Sequence, residues 1–251
     1  MHRFFCADSD IGEGLIHIRD RQQLHHIKDV LRLKEGKSVT VCDTAGNEYA
    51  ATIKSVSAQE IVCAIKSKRA RSAQDQALIA VACAIPKQSR MDDMIDKLTQ
   101  LGVDSIMPLI THRVIVKLDA AKKLERQARW QKIAASASKQ SQRTIVPVVE
   151  EIMSFDEMLA ASAGFELKLI PTLDGSRVLL QEALRQGGVC SRSVIVAIGP
   201  EGDFTPEEVE RALQAGFQPV SFGTQVLRVE TAAVYAASVL GYVFRGQGRG
   251  V

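Results

Sequence analysis

The chain has 251 residues, 46% of them hydrophobic and 24% charged, enough to build more than one buried core and unlike a disordered or fibrous chain. Its formal net charge is only +3, so overall charge does not by itself point to a nucleic-acid partner. The five cysteines (Cys6, Cys42, Cys63, Cys83, Cys190) are scattered and odd in number, which argues for a reducing compartment and against a disulfide framework or a zinc site.

The start, Met1-His2-Arg3-Phe4-Phe5-Cys6-Ala7-Asp8, lacks an apolar signal core, and no apolar run reaches bilayer length. A cytoplasmic location is expected, with no metal site and no membrane partner. Residues 1 to about 70 read mostly as β. Leu24, Ile27, Val30 and Leu31 fall on one helical face, and Lys34-Glu35-Gly36 ends that helix. Ser38–Cys42 and Glu48–Ile53 flank the turn Asp43-Thr44-Ala45-Gly46-Asn47, which predicts a hairpin. Ile61–Ile65 adds another strand. The charged stretch Lys66–Asp75 reads as a linker.

The apolar run Ala77–Ile85 predicts a buried parallel strand. Ser89 can cap the next helix, with Asp92 at its third position and Met91, Met94, Ile95, Leu98 and Leu101 on its inner face; Gly102 stops it. Val103–Ile110 is a strand, and Leu118–Ser141 is mainly helix, with Trp130 packing inside in preference to stacking on a base. Phe165–Ile170 and Val194–Ile198 are central strands flanking a helix at Val178–Gln186. Thr205-Pro206-Glu207-Glu208 spells a helix start: a cap, a proline at the first position and acids in the first turn. Gly216 ends that helix, Pro219–Phe222 is a strand, and Thr231 caps a last helix running to Val243. The tail Arg245–Val251 reads as frayed. Strands alternating with helices from residue 75 onward predict an α/β sheet covered by helices.

Charge is unevenly spread. Between Arg113 and Arg143 nine basic residues (Arg113, Lys117, Lys122, Lys123, Arg126, Arg129, Lys132, Lys139 and Arg143) face two acids, Asp119 and Glu125. A concentrated positive stretch is the footprint of a polyanion-binding face.

Two late segments look built to bind. Val194–Phe204, with Gly199-Pro200-Glu201-Gly202, and Phe222–Ala232, with Leu227-Arg228-Val229-Glu230, each begin with a strand-like approach and break into a loop before a helical pattern. Gly199 and Gly202 let backbone approach a ligand, and Pro200 limits the loop's freedom. The glycine spacing of a dinucleotide fingerprint is absent, as is the lysine of a phosphate-binding P-loop. An adenine ring could bond to loop amides between walls such as Leu227 and Ile198.

The ordered set of motifs resembles the RsmE family of bacterial 16S rRNA uridine-N3 methyltransferases, of the SPOUT class, over essentially the whole chain. The segments that carry the resemblance are His25–Arg32; Lys97–Val103 with Pro108 and Thr111-His112-Arg113; Arg129-Trp130-Gln131-Lys132-Ile133, continuing through Ala137, Gln140–Arg143 and Pro147; and above all Gly199–Gly202 with Leu227–Ala232. Two positions depart: Gln100 stands where the family usually has glutamate, and Asp203 where it usually has glycine.

The resemblance implies a PUA-like RNA-binding β-barrel over residues 1–72. After it comes a SPOUT α/β methyltransferase domain over residues 73–251, with a C-terminal trefoil knot, a rare exception to ordinary chain topology. It implies S-adenosyl-L-methionine as cofactor, held by Ile170, Pro171, Thr172, Ile198, Gly199, Pro200, Glu201, Gly202, Gly223, Val226, Leu227, Arg228, Thr231 and Ala232. It implies 16S rRNA of the small ribosomal subunit as substrate, a homodimer, and no DNA partner. Arg228 and Arg113 are the expected electrostatic aids at the reacting base. Glu201 is a candidate proton acceptor, with loop support as its competing role, and His112 is another if it reaches the cleft. Arg32, Arg126, Arg129, Lys132, Lys139 and Arg143 are the expected RNA contacts. A knotted methyltransferase acting on another RNA, or a noncatalytic RNA-binding protein, is the alternative.

Overall fold

A computed structural model describes residues 2–44, 46–70, 77–86, 90–114, 118–173, 175–187 and 191–245. Ala45, Ser89, Lys117, Cys190, half of the expected linker and most of the expected tail fall outside them. Two compact units emerge: Met1–Ala73 with Ser138–Val146, and Gln74–Ala137 with Pro147–Val251.

The first unit holds β1 (Arg3–Phe5), β2 (Ile11–Gly12), β3 (Leu15–Ile18), α1 (Arg21–His25), β4 (Ser38–Cys42), β5 (Glu48–Val56) and β6 (Ile61–Arg69). They form one six-stranded sheet in the order β1-β4-β5-β6-β3-β2. Alternate residues of its strands, among them Phe4, Ile16, Val41, Ile53 and Ile61, meet Leu24 and Ile27 in a single core. That convergence makes it the expected curled, barrel-like module. The hairpin forms as expected, with Val41 opposite Tyr49. Asp43 anchors its turn by accepting bonds from the Asn47 amide (2.7 Å) and the Tyr49 hydroxyl (3.0 Å). The helix at residue 24 is short: α1 gives way to a π-helical turn over His26–Val30. Lys66–Arg69, expected in a linker, instead continues β6, with Tyr49 facing Lys68 and Glu48 facing Arg69.

The second unit runs β7 (Leu78–Ala84), α2 (Arg90–Gln100), β8 (Ser105–Ile110), α3 (Ala120–Gln140), β9 (Val148–Val149), β10 (Met153–Ser154), α4 (Phe155–Ala161), β11 (Leu167–Pro171), β12 (Val178–Leu179), α5 (Leu180–Gly187), β13 (Ser193–Ile198), α6 (Pro206–Gln214), β14 (Gln218–Ser221) and α7 (Val229–Arg245). The last residues of α3 group with the first unit. Among the described residues every strand pair of this sheet is parallel, in the order β10-β8-β7-β13-β11-β14-β12, with β9 also on β8. The central strands are therefore apolar on both faces: Ile79 to Ala84 and Val194 to Ala197 are wholly buried.

Three helix starts refine the sequence expectations. Thr205 caps α6 in a full capping box with Glu208, as its sequence spells. Val178 and Leu179 pair with β14 before α5 begins. The last helix starts at Val229, so Thr231 lies in its first turn, exposed, and is not its cap.

Candidate functional site

Strands β13, β11 and β14 are neighbours, and their C-terminal ends release three loops on one edge of the sheet. Ligands of open parallel sheets bind at that edge. Here the loops enclose a cavity of about 670 Å³ together with Leu179 and the start of α7. The loop after β11 contributes Thr172 and Leu173, the loop after β13 contributes Gly199, Pro200, Glu201 and Asp203, and the loop after β14 contributes residues 222–227.

Each loop has a local reason for its shape. Gly223 has φ +116°, a setting that side-chain-bearing residues avoid, and it exchanges hydrogen bonds of 3.2 Å with the Ser221 hydroxyl. The N–H of Asp203 donates to the Pro200 carbonyl at 2.9 Å, closing a tight turn. Asp203 sits at φ +61°, in the left-handed region that aspartate tolerates better than most residues. That backbone setting would equally suit the glycine that the family resemblance leads one to expect there.

The cavity is apolar along Ile198, Val226, Leu227, Val229 and Ala232, with polar groups at a few points. Thr172 is 7% exposed, and its Oγ1 has no hydrogen-bond partner among the described residues. A buried hydroxyl left unpaired is costly; Thr172 is among the residues that line the cavity, while its Oγ1 is itself buried. Glu201 and Asp203 add carboxylates and Arg177 a guanidinium.

Most residues expected at a cofactor site therefore converge: Pro171, Thr172, Ile198, Gly199, Pro200, Glu201, Gly223, Val226, Leu227 and Ala232 all line the cavity. Four do not. Ile170 is wholly buried in the core, Gly202 faces the Arg113 side chain, and Thr231 points outward. Arg228 is exposed beside the cavity, its carbonyl accepting the Ala232 N–H at 2.8 Å. Among the described residues no hydrogen bond or ion pair holds the Arg228 guanidinium. Leu173, Arg177, Leu179, Ser221, Phe222, Thr224, Gln225 and Val229 also line the cavity. No local motif marks Leu173 or Arg177 in the sequence, because the sheet order brings them in.

Arg113 turns out to be a brace. Its guanidinium donates to the carbonyl oxygens of Gly202 and, at 3.3 Å, Phe204. Beneath it, the Glu208 carboxylate accepts the His112 N–H and the Thr205 N–H, both at 2.9 Å. Glu208 is only 2% exposed, so it ties the exit of β8 to the first turn of α6. Glu208→Ala strands both donors and is expected to cost about 2–3 kcal/mol, read as a lowered urea midpoint. An unchanged midpoint would remove Glu208 from this role. The His112 side chain itself is exposed.

The basic residues separate into two groups. Arg129 is paired with Asp92, whose other oxygen accepts the indole N–H of Trp130 at 3.1 Å. Trp130 is 3% exposed, which places it in the core and rules out base stacking. Arg129 and Lys132 border a shallow concavity on α3, and Arg126 lies one turn earlier. Lys139 belongs to the first unit, where it lines a polar pocket of about 180 Å³ with His2, Arg3, His26 and Gln142. Burial pulls the Lys139 ammonium below the ordinary lysine range, against the opposing pull of Asp20. Arg32 is exposed at φ +51°, and Arg143 follows the end of α3.

Comparison with known proteins agrees with this geometry. Residues 73–241 match the family described as an RNA methyltransferase domain, and residues 18–66 match the RNA methyltransferase PUA domain. The chain is 31% identical to the ribosomal RNA small subunit methyltransferase E of Bacillus subtilis, covering 96% of both chains. A putative methyltransferase of Legionella pneumophila, solved with bound SAM, superposes with a TM-score of 0.79 at 32% identity, covering 95% of this chain and 96% of that one. The ribosomal RNA small subunit methyltransferase E of Neisseria gonorrhoeae, bound to S-adenosyl methionine, gives 0.80 at 29%, covering 96% and 97%.

Proposed function

The chain belongs to the ribosomal RNA small subunit methyltransferase E family, and we propose that it transfers a methyl group from S-adenosylmethionine to N3 of a uridine in the decoding region of 16S rRNA. The observation that carries this is the cavity at the ends of β13, β11 and β14, with its apolar wall of Ile198, Val226 and Leu227 and its glycine-bearing loops. The residues present fit the cofactor. Ile198, Val226 and Leu227 would flank its adenine, and glycine backbone would approach its polar edges. When bound, S-adenosylmethionine supplies a methyl group already activated on a sulfonium sulfur.

The protein's own part is alignment and charge. Holding the uracil N3 in line with the methyl group removes much of the entropic barrier. The N3 proton must leave, and the developing imide anion needs a positive neighbour. Arg228, exposed beside the cavity, supplies that field; Arg113 holds the loop through Gly202 and Phe204. Glu201, on the cavity wall, would accept the proton.

Substrate RNA is held by Arg126 and Lys132 on α3, with Arg129 available once it leaves Asp92, and by Lys139, Arg32 and Arg143 in the first unit. Exchanging Lys132 and Lys139 together for glutamine is expected to lower the slope of log affinity against log salt by about 1.4–1.8, the sum of two phosphate contacts. Filter binding to 16S rRNA at several salt concentrations measures it, and an unaltered slope would exclude both residues.

A homodimer and a cytoplasmic setting complete the reading. α7 exposes Tyr242 (81%) and Tyr235, whose ring lies 5.0 Å from that of Phe222 on the cavity loop, so a partner on this face would abut the site. No described helix is long and apolar enough to cross a membrane.

The direct test is tritiated methyl transfer to undermethylated small subunits, free 16S rRNA and bulk tRNA, followed by nucleoside identification. N3-methyluridine on small subunits is expected. Labelled tRNA or an O-methylated nucleoside would overturn the assignment.

A further inference from the structure

Leu173 forms part of the cavity wall, and its backbone is gripped at two points. Its N–H donates to Oδ2 of Asp203 at 2.8 Å. Its carbonyl oxygen accepts from the Arg177 guanidinium. Asp203 belongs to a different loop, the one after β13, and its other oxygen, Oδ1, accepts the Phe204 N–H at 2.8 Å. One carboxylate thus joins two loops that leave separate strands. Its anchor on the far side is fixed, because Phe204 is buried with its ring 5.2 Å from that of Phe155. A side chain at φ +61° is disfavoured relative to glycine, and the two bonds from the carboxylate offset that cost.

We propose that Asp203 is a positioning residue that presets the cofactor cavity by clamping Leu173 to the loop after β13 before the methyl donor arrives. The inference rests on reading the cavity as the donor's site. A donor that must select a closed wall from a mobile population binds more weakly by the fraction that is closed. The clamp therefore acts on donor affinity. It does not act on the transfer step, because both of its ends are backbone amides of the cavity loops. Arg177 supports the same peptide from its carbonyl side.

The test uses the full-length protein with Asp203→Asn, which keeps the volume but has one carbonyl oxygen for two donors, and Asp203→Gly, which suits the backbone but loses both bonds. Amide hydrogen exchange at Leu173 is measured without ligand, S-adenosylmethionine affinity by calorimetry, and KM and kcat on small subunits. In both variants Leu173 exchange is expected to accelerate about tenfold or more, and Kd and KM for the donor to rise about tenfold, as for a lost bond to a charged group. At saturation kcat stays within about twofold of the parent. If the glycine variant does not fold, the asparagine variant carries the test alone. Exchange at the parent rate, or faster exchange with unchanged Kd, would overturn the clamp. A parent protein that does not bind the donor would overturn the cavity assignment as well, and only that outcome shows without any variant.

Discussion

Gly199→Val is expected to abolish measurable donor binding, raising Kd at least about 100-fold, and to destabilise the fold by about 1–3 kcal/mol. A Cβ at Gly199 would lie 3.1 Å from both Cδ2 and Cε2 of Phe204 and 3.3 Å from its backbone nitrogen. The ring cannot retreat, since it is buried against Phe155, and its nitrogen is bonded to Asp203. The loop must therefore move the other way, into the cavity that it lines. Gly202→Ala is the control: its Cβ would meet only Cδ of Arg113, at 3.3 Å, and that side chain can shift. Calorimetry and urea unfolding of the two variants check the contrast. Near-parental affinity in the valine variant would refute the packing argument.

Arg228→Met is expected to lower kcat about 100- to 1000-fold, the usual range for removing one group that stabilises developing charge. Donor Kd should change less than about threefold, because the Arg228 side chain is not part of the cavity lining while its carbonyl holds the first turn of α7. Arg228→Lys keeps the charge without the planar fork and should recover only part of the rate. Arg113→Met should behave differently, raising donor KM and lowering stability as the loop loses its brace at Gly202 and Phe204. Single-turnover transfer to small subunits separates the two arginines. Equal kcat losses at both would assign them one shared role and refute this division.

Much of the architecture was legible because the central strands are continuous apolar runs and the helix starts carry capping residues. Thr205-Pro206-Glu207-Glu208 states its structure locally. Ser154 and Glu157 form an equally local capping box on α4, spelled in the sequence by a serine three residues ahead of a glutamate. Other features depend on distant partners. Lys66–Arg69 is polar enough to read as a linker, yet β5 extends alongside it and supplies the ladder. The start of α7 is set two residues ahead of Thr231, where Glu230 meets Arg90 of α2 at 3.0 Å. The glycine-bearing turns revealed two walls of the cavity. Leu173 and Arg177 were invisible because only the placement of β11 between β13 and β14 makes them neighbours of those turns.

The same strand order governs how the protein can be made. β7 lies between β8 and β13, and Leu78 faces Ser193. At about 5–20 residues per second, the ribosome delivers that second neighbour on the order of ten seconds after β7 emerges. Throughout that interval Ile79 to Ala84 present an unpaired apolar edge. Nascent chains should therefore engage chaperones until residue 198 has cleared the exit tunnel, and truncation before β13 should yield aggregate in place of a soluble fragment.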